Sequence, residues 1–143
     1  RWVNERKSSH ELYNAGHLYE AAAAHYMATG KKNLLNIALK NADLVCSVFG
    51  PAANQLHTAP GHEVVEMGLV KLYRITGKKE YLNTAKYFIE ERGRDVNYDS
   101  TSNDEWKNGS YWQDNIPVTE QTEAEGHAVR AGYLYSAMAD VAA

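Results

Sequence analysis

This chain predicts an all-α fold of antiparallel helical hairpins, and three observations carry that expectation. Apolar residues recur at three- and four-residue spacing through most of its 143 residues. Strand signals, the short alternating runs of β-branched residues, are nearly absent. Finally, Thr76-Gly77-Lys78-Lys79 repeats Thr29-Gly30-Lys31-Lys32 at an offset of 47, a period typical of stacked hairpins.

Each repeated turn separates two helical patterns. The first helix is expected from about Ser9 to Ala28, with Ser8 and Glu11 at capping-box spacing. Gly30 stands where a left-handed residue ends a helix cheaply. The partner runs from about Asn33 to Val48, with Leu34, Ala38, Leu39, Ala42, Val45 and Phe49 as its apolar stripe. The second unit has a helix from about His62 to Ile75, closed by Gly77, and a partner from about Glu80 to Glu91. Tyr81, Ala85, Phe88 and Ile89 form that partner's stripe, and Gly93 ends it. A third leading helix is expected to begin near Thr119, after Pro117, and to continue through the last residues. The lack of a closing glycine there suggests a segment that stops inside a larger domain. Antiparallel pairing puts both Thr-Gly-Lys-Lys turns at one end of the stack. The connections Gly50 to Pro60 and Arg94 to Val118 lie at the other end. The second is long enough to suggest function, and it holds Tyr98, Trp106, Tyr111 and Trp112.

Composition excludes several classes. Apolar residues at 44% and charged residues at 23% fit one ordinary globular domain. A net charge of −3 without a basic stripe argues against a nucleic-acid platform. No apolar run approaches the roughly 20 residues of a membrane helix, and the first residues lack the apolar core of a signal peptide. The single cysteine, Cys46, excludes an internal disulfide and a Cys-rich zinc site. Its place in an apolar-periodic helix reads as a small buried hydrophobe.

Three Gly-His pairs, Gly16-His17, Gly61-His62 and Gly126-His127, fall early in helical patterns, at the long-loop end. Chance pairing of six histidines and ten glycines gives fewer. His10, Asn14 and His17 share a face with Ala21, Ala24 and Ala28. That pattern suits an inner helix bordering a wet cavity; a solvated surface stripe is the plainer alternative. His62 and Glu66 stand at i, i+4, and Glu120, Glu123, His127 and Arg130 follow one another at three or four residues. Such groups can bind a polyhydroxylated ligand, and a carboxylate can do acid/base work. Surface ion pairing among Glu123, His127 and Arg130 is the competing reading, and Glu11, Glu20 and Glu125 read as exposed. Trp106, Tyr111 and Trp112 either stack on sugar rings or pin the long loop to the helices. No His-Glu-x-x-His motif, cysteine pair or hydrolytic triad occurs, so no metal site is assigned. His17 lies 12 residues before Thr29, whereas His62 lies 14 before Thr76. Two residues turn a helix by about 200°, so either an indel separates the units or His62 sits at a helix mouth.

Ser9-His10-Glu11-Leu12-Tyr13-Asn14-Ala15-Gly16-His17, Pro60-Gly61-His62-Glu63-Val64-Val65-Glu66 and Pro117-Val118-Thr119-Glu120-Gln121-Thr122-Glu123-Ala124-Glu125-Gly126-His127-Ala128-Val129-Arg130 together resemble the β-L-arabinofuranosidase family of glycoside hydrolases, family 127, formerly a domain of unknown function. The resemblance covers nearly the whole chain. It implies an (α/α)6 toroid whose inner helices surround a sugar pocket, with residues 1–143 as a partial domain of two hairpins and the start of a third. It implies that His62, His127 and one of His10 or His17 contact a furanoside in the −1 subsite. Glu66 and Glu123 complete the substrate-binding candidates. The resemblance further implies a retaining enzyme with a zinc-bound cysteine nucleophile and a glutamate acid/base. Motifs for those groups have no match here, and Cys46 does not sit in one. No catalytic residue or metal ligand is therefore assigned within the segment, and zinc is expected only in the intact parent. By the same resemblance Asn14 stands where many relatives have another small residue, which leaves it without an assigned role.

The resulting expectation is part of a bacterial glycoside hydrolase acting on β-L-arabinofuranosides or related plant glycans, inactive as an isolated segment. Its partners would be a carbohydrate substrate, not nucleic acid or membrane. Its uncovered apolar faces would be met by self-association or by the remainder of the domain. The alternative is a non-catalytic α-hairpin module that binds a glycan or a protein.

Overall fold

The two Thr-Gly-Lys-Lys turns fold alike. Helix α1 (Glu11–Thr29) ends at Gly30 with φ 71°, and α3 (Val65–Thr76) ends at Gly77 with φ 72°. Their N–H groups donate to the Tyr26 and Tyr73 carbonyls at 2.8 and 2.7 Å. The Thr29 and Thr76 hydroxyls donate to the carbonyls four residues back, both at 2.7 Å. Each hydroxyl also accepts the N–H of the following lysine, Lys31 or Lys78, at 3.2 Å. The left-handed backbone explains the glycine in both copies. The chain then reverses into α2 (Asn33–Val48) and α4 (Lys79–Glu91).

The computed structural model describes residues 2, 9–94 and 96–143. Ser8 of the expected capping box lies outside them; Ser9 Oγ accepts the Glu11 N–H at 3.2 Å. Among the described residues there is no strand, only an isolated bridge between Phe49 and Leu56. No helix among them is long and apolar enough to cross a membrane.

Helix α1 packs most extensively on α3, and the hairpin partners α2 and α4 cover them. The shared core includes Leu12, Tyr19, Leu35, Val45, Phe49, Leu69, Leu72, Tyr81 and Phe88. Complete burial of a leucine such as Leu12, Leu69 or Leu72 stabilises by about 2 kcal/mol. The α1–α3 contact is tight at Gly16, the glycine of the first Gly-His pair. A Cβ there would lie 2.6 Å from the Val65 backbone nitrogen, so any side chain would push the two elements apart.

Two boundaries differ from the sequence expectation, and both matter for the site. Helix α3 begins at Val65, so His62 lies in the loop before it, and His62 and Glu66 do not share a helical face. The third leading helix, α6 (Ala128–Ala142), begins at Ala128 and not near Thr119. The long connection instead contains a short helix, α5 (Glu105–Asn108), and a 3₁₀ turn at Ser110–Trp112. Asp114 anchors it by accepting from the Gly93 N–H at 2.7 Å and the Tyr98 hydroxyl at 2.9 Å. Side-chain amides then hold the segment in this non-helical path. Gln113 donates to the Glu125 carbonyl at 2.7 Å, and Gln121 to the Gln113 and Ile116 carbonyls at 3.0 and 3.1 Å. Gly126, at φ 71°, completes the break. Glu120, Glu123, His127 and Arg130 therefore do not line one helix.

Helix α6 packs on α3 and α4, burying Ala131, Leu134 and Ala137. Ala21, Ala24, Met27 and Ala28 of α1 remain exposed, as do Val129 and Tyr135 of α6. Cys46 is half-buried rather than in the core, with its thiol 3.8 Å from the Glu80 carbonyl.

Candidate functional site

A cluster of five rings forms at the end of the stack opposite the Thr-Gly-Lys-Lys turns. His10, Tyr13 and His17 are three and four residues apart, a spacing that aligns them on one helical face. Tyr13 is central: its ring lies 4.5 Å from His17, 4.4 Å from His62 and 5.5 Å from His10. His10 is 5.7 Å from His62. Tyr133, from α6, lies 5.9 Å from His62 and 6.0 Å from His17. The structure thus brings both His10 and His17 to Tyr13.

His62 owes its place to buried charge. Arg92 donates through Nη2 to the Pro60 carbonyl at 2.6 Å and through Nη1 to the Trp112 carbonyl at 2.9 Å. Arg130 donates through Nη1 to the Gly61 carbonyl. The His62 Nδ1 lies 2.9 Å from the Glu63 carbonyl. Glu63 and Glu66 are completely buried beneath this turn, with Arg92 and Arg130 almost completely so. Glu66 Oε2 accepts the Val64 N–H at 3.0 Å. Glu63 Oε1 lies 3.1 Å from Arg92 Nη1, yet neither oxygen of that carboxylate receives a well-aligned hydrogen bond among the described residues. Burial therefore outweighs the attraction of Arg92 and pushes the Glu63 carboxyl up to about 7. Burial raises Glu66 as well. It pushes the His62 imidazole down to about 4, with the Arg130 charge acting the same way, so His62 is neutral at ordinary pH.

The third Gly-His pair joins through the long connection. His127 caps α6, its N–H donates to the Tyr111 carbonyl at 3.1 Å, and its ring lies 5.3 Å from that of Tyr111. A charge on His127 acts on His62, and its Nδ1 is buried with no hydrogen-bond partner among the described residues. Arg130 sits over the Tyr111 ring at 5.4 Å. Of the two aromatic roles weighed from the sequence, the structure shows the pinning one. Trp112 is buried and pins the connection, whereas Trp106 is 58% exposed and stacks on Tyr111 with 4.1 Å between centroids.

Other candidates lie apart. Glu66 is sealed behind the His62 turn. Glu123 is exposed in a separate hollow with Val118, Gln121, Tyr135 and Met138. Asn14 lines a groove with Leu18, Ile37 and Asn41, between α1 and α2. Glu125 is half-buried and accepts from Asn115 at 3.2 Å, against its expected exposure. Sequence reasoning missed Tyr13, Tyr133, Glu63 and Arg92. Tyr13 carried a usable signal, since it sits between two flagged histidines at helical spacing.

The described residues do not fit zinc. No three His, Cys, Asp or Glu side chains among them converge as metal ligands. Cys46 lines a groove with Asp43, Lys78 and Thr84, and burial pushes its thiol up to about 11, so it stays protonated and a poor ligand. What the cluster offers is a wall of imidazoles and phenols. Their polar edges can meet hydroxyls and their faces can meet apolar C–H groups.

Comparison with known proteins bears on that wall. The family model of the β-L-arabinofuranosidase GH127 catalytic domain matches residues 1–143. The non-reducing end β-L-arabinofuranosidase of Bifidobacterium longum subsp. longum is 40% identical over 146 residues, covering 94% of this chain and 22% of its own. A solved GH127 β-arabinofuranosidase superposes with a TM-score of 0.89 at 51% identity, over 99% of this chain and 21% of its own. A GH127 β-L-arabinofuranosidase from Geobacillus stearothermophilus T6 does so with a TM-score of 0.89 at 45% identity, over 99% and 24%. The chain thus spans less than a quarter of the length of these relatives. The stacked hairpins are part of an (α/α)6 toroid.

Proposed function

Because this chain belongs to the GH127 β-L-arabinofuranosidase catalytic-domain family, we propose that it is the sugar-recognition part of a retaining glycoside hydrolase acting on β-L-arabinofuranosides or related plant glycans. The observation that carries this reading is the convergence of His10, Tyr13, His17, His62 and Tyr133 at one end of α1, α3 and α6. In this reading His62 and His127 bind hydroxyls of the furanoside, and His10 and His17 flank the ring on either side of Tyr13. Glu66 supports the turn from behind, and Glu123 stays outside the wall.

Retention proceeds by double displacement through a covalent intermediate. The reading assigns the nucleophile, the acid/base carboxylate and zinc to lengths of the relatives that this chain does not span. Its own residues bind and orient the sugar, which lowers the barrier by holding the reacting groups in place. The exposed face of Ala21, Ala24, Ala28 and Val129 is then the seat of the toroid's remaining helices.

The test is kinetic, in the full-length protein. His62→Ala and His127→Ala should each raise KM for an aryl β-L-arabinofuranoside about tenfold, the equivalent of one lost hydrogen bond. Circular dichroism should report an intact fold. Unchanged kcat/KM in both variants would overturn the proposal.

A further inference from the structure

We infer that Arg130 and Arg92 are positioning residues: they hold the Pro60-Gly61-His62 turn so that His62 donates its Nδ1–H to the Glu63 carbonyl and offers a bare Nε2 lone pair to a sugar hydroxyl, which must donate. This rests on the sugar-binding reading above and adds the direction of one hydrogen bond.

The argument begins at a carbonyl. A carbonyl oxygen only accepts, so the ring nitrogen 2.9 Å from the Glu63 oxygen carries the proton. A neutral imidazole has one N–H, so Nε2 is left as an acceptor. The alternative is a doubly protonated ring, and its surroundings oppose that. Arg130 of α6 lies close and Arg92 at the end of α4 lies below; His10 and His127 add like charge if protonated. Glu63 and Glu66 are the carboxyls beneath it, and burial pushes both toward their neutral forms. Tyr13 and Tyr133 are the remaining rings that face it.

The two arginines make the arrangement possible. Pro60 and Gly61 are buried, so their carbonyls would be orphaned without donors. Arg92 takes the first and Arg130 the second. A guanidinium spreads several donors in a rigid fork. Arg92 therefore reaches the Trp112 carbonyl as well, tying the aromatic connection to the same turn. Neither arginine needs to touch sugar to set what His62 can recognise. A site built this way discriminates against an analogue that lacks the donated proton.

The test uses the full-length protein labelled with 15N-histidine, with His62→Gln assigning the His62 signals. The expected spectrum at neutral pH has a pyrrole-like Nδ1 and a pyridine-like Nε2, and methyl β-L-arabinofuranoside shifts only Nε2. Arg130→Met should mix the tautomers and raise KM about tenfold, more than it lowers kcat, and Arg130→Lys should recover part of both. A pyridine-like Nδ1, or a protonated ring, overturns the assignment whatever the sugar does. The expected tautomer with an Nε2 that ignores saturating sugar overturns the binding reading and leaves the tautomer standing. A substrate series decides should Arg130→Met fail to fold. Fluorine, which accepts but cannot donate, replaces each hydroxyl in turn. One position should lose about tenfold in affinity, and that loss should vanish in His62→Ala. Tolerance of fluorine at every position overturns the inference.

Discussion

Replacing Arg92 by methionine keeps the side chain's length and removes three contacts. Two are the hydrogen bonds to the Pro60 and Trp112 carbonyls, at 2.6 and 2.9 Å; the third is the 3.1 Å ion pair with Glu63. Arg92 is 1% exposed, so water does not take their place. Each buried carbonyl left without a donor costs about 1–3 kcal/mol. Methionine packing recovers part of that, leaving a loss of about 3 kcal/mol. The pH dependence then separates Glu63 from the rest. Its carboxyl sits at about 7, against an ordinary 4.5, because burial outweighs Arg92. Losing Arg92 removes the main influence pulling it down and moves it higher. A carboxyl raised on folding contributes stability that is complete below the unfolded value and is lost as pH rises through the folded value. Below about 4.5 Glu63 is neutral in both proteins, and the deficit is the carbonyl loss alone. Above about 7 the wild type has nothing further to lose at this residue, whereas the variant keeps losing stability as pH climbs. The deficit should grow by about 1.4 kcal/mol for each further unit that Glu63 moves. Tm should therefore fall in acid and fall further in mild alkali. Thermal unfolding followed by circular dichroism across pH measures both parts. A deficit that stays flat or narrows with rising pH refutes the role given to Glu63, and one below about 1 kcal/mol refutes the clamp.

Gly126→Ala combines a φ of 71° with a Cβ 2.0 Å from the Ser110 carbonyl oxygen. It should destabilise by about 2 kcal/mol or more and weaken sugar binding by moving His127 away from Tyr111; a variant with wild-type Tm contradicts the geometry. The isolated 143-residue chain should not hydrolyse an aryl β-L-arabinofuranoside, and its uncovered α1 and α6 faces should make it self-associate in light scattering. Measurable turnover sinks the first expectation and a monodisperse monomer the second.

The parts of this protein legible in its sequence are those governed by neighbouring residues. A glycine that must adopt positive φ, a threonine that caps the turn and a three-to-four apolar spacing act within a few residues. So α2 was readable from Asn33 to Val48, and both hairpin turns and the all-α class were readable with it. The three ordered motifs were also local strings, and they pointed to the family. The site was only half visible. Its histidines stood out, but His62 and Glu66 looked like one helical face until the turn at Pro60-Gly61 put them on opposite sides of a wall. Glu120 to Arg130 looked helical until the Gln113 amide claimed the Glu125 carbonyl and Gly126 turned the chain.

Tertiary structure alone decided what orients His62. Arg92 reaches Pro60 across 32 positions, and Arg130 reaches Gly61 across 69. No periodicity encodes such a contact, because each arginine fits its own helix pattern equally well as a solvated charge. Packing buries them beside two carboxyls and the turn's carbonyls, where protein groups and not water must serve as partners. The sequence by itself determined which helices form and which end of the stack carries the histidines. The assembled core set the Glu63 carbonyl against His62 Nδ1 and the two arginines behind the turn.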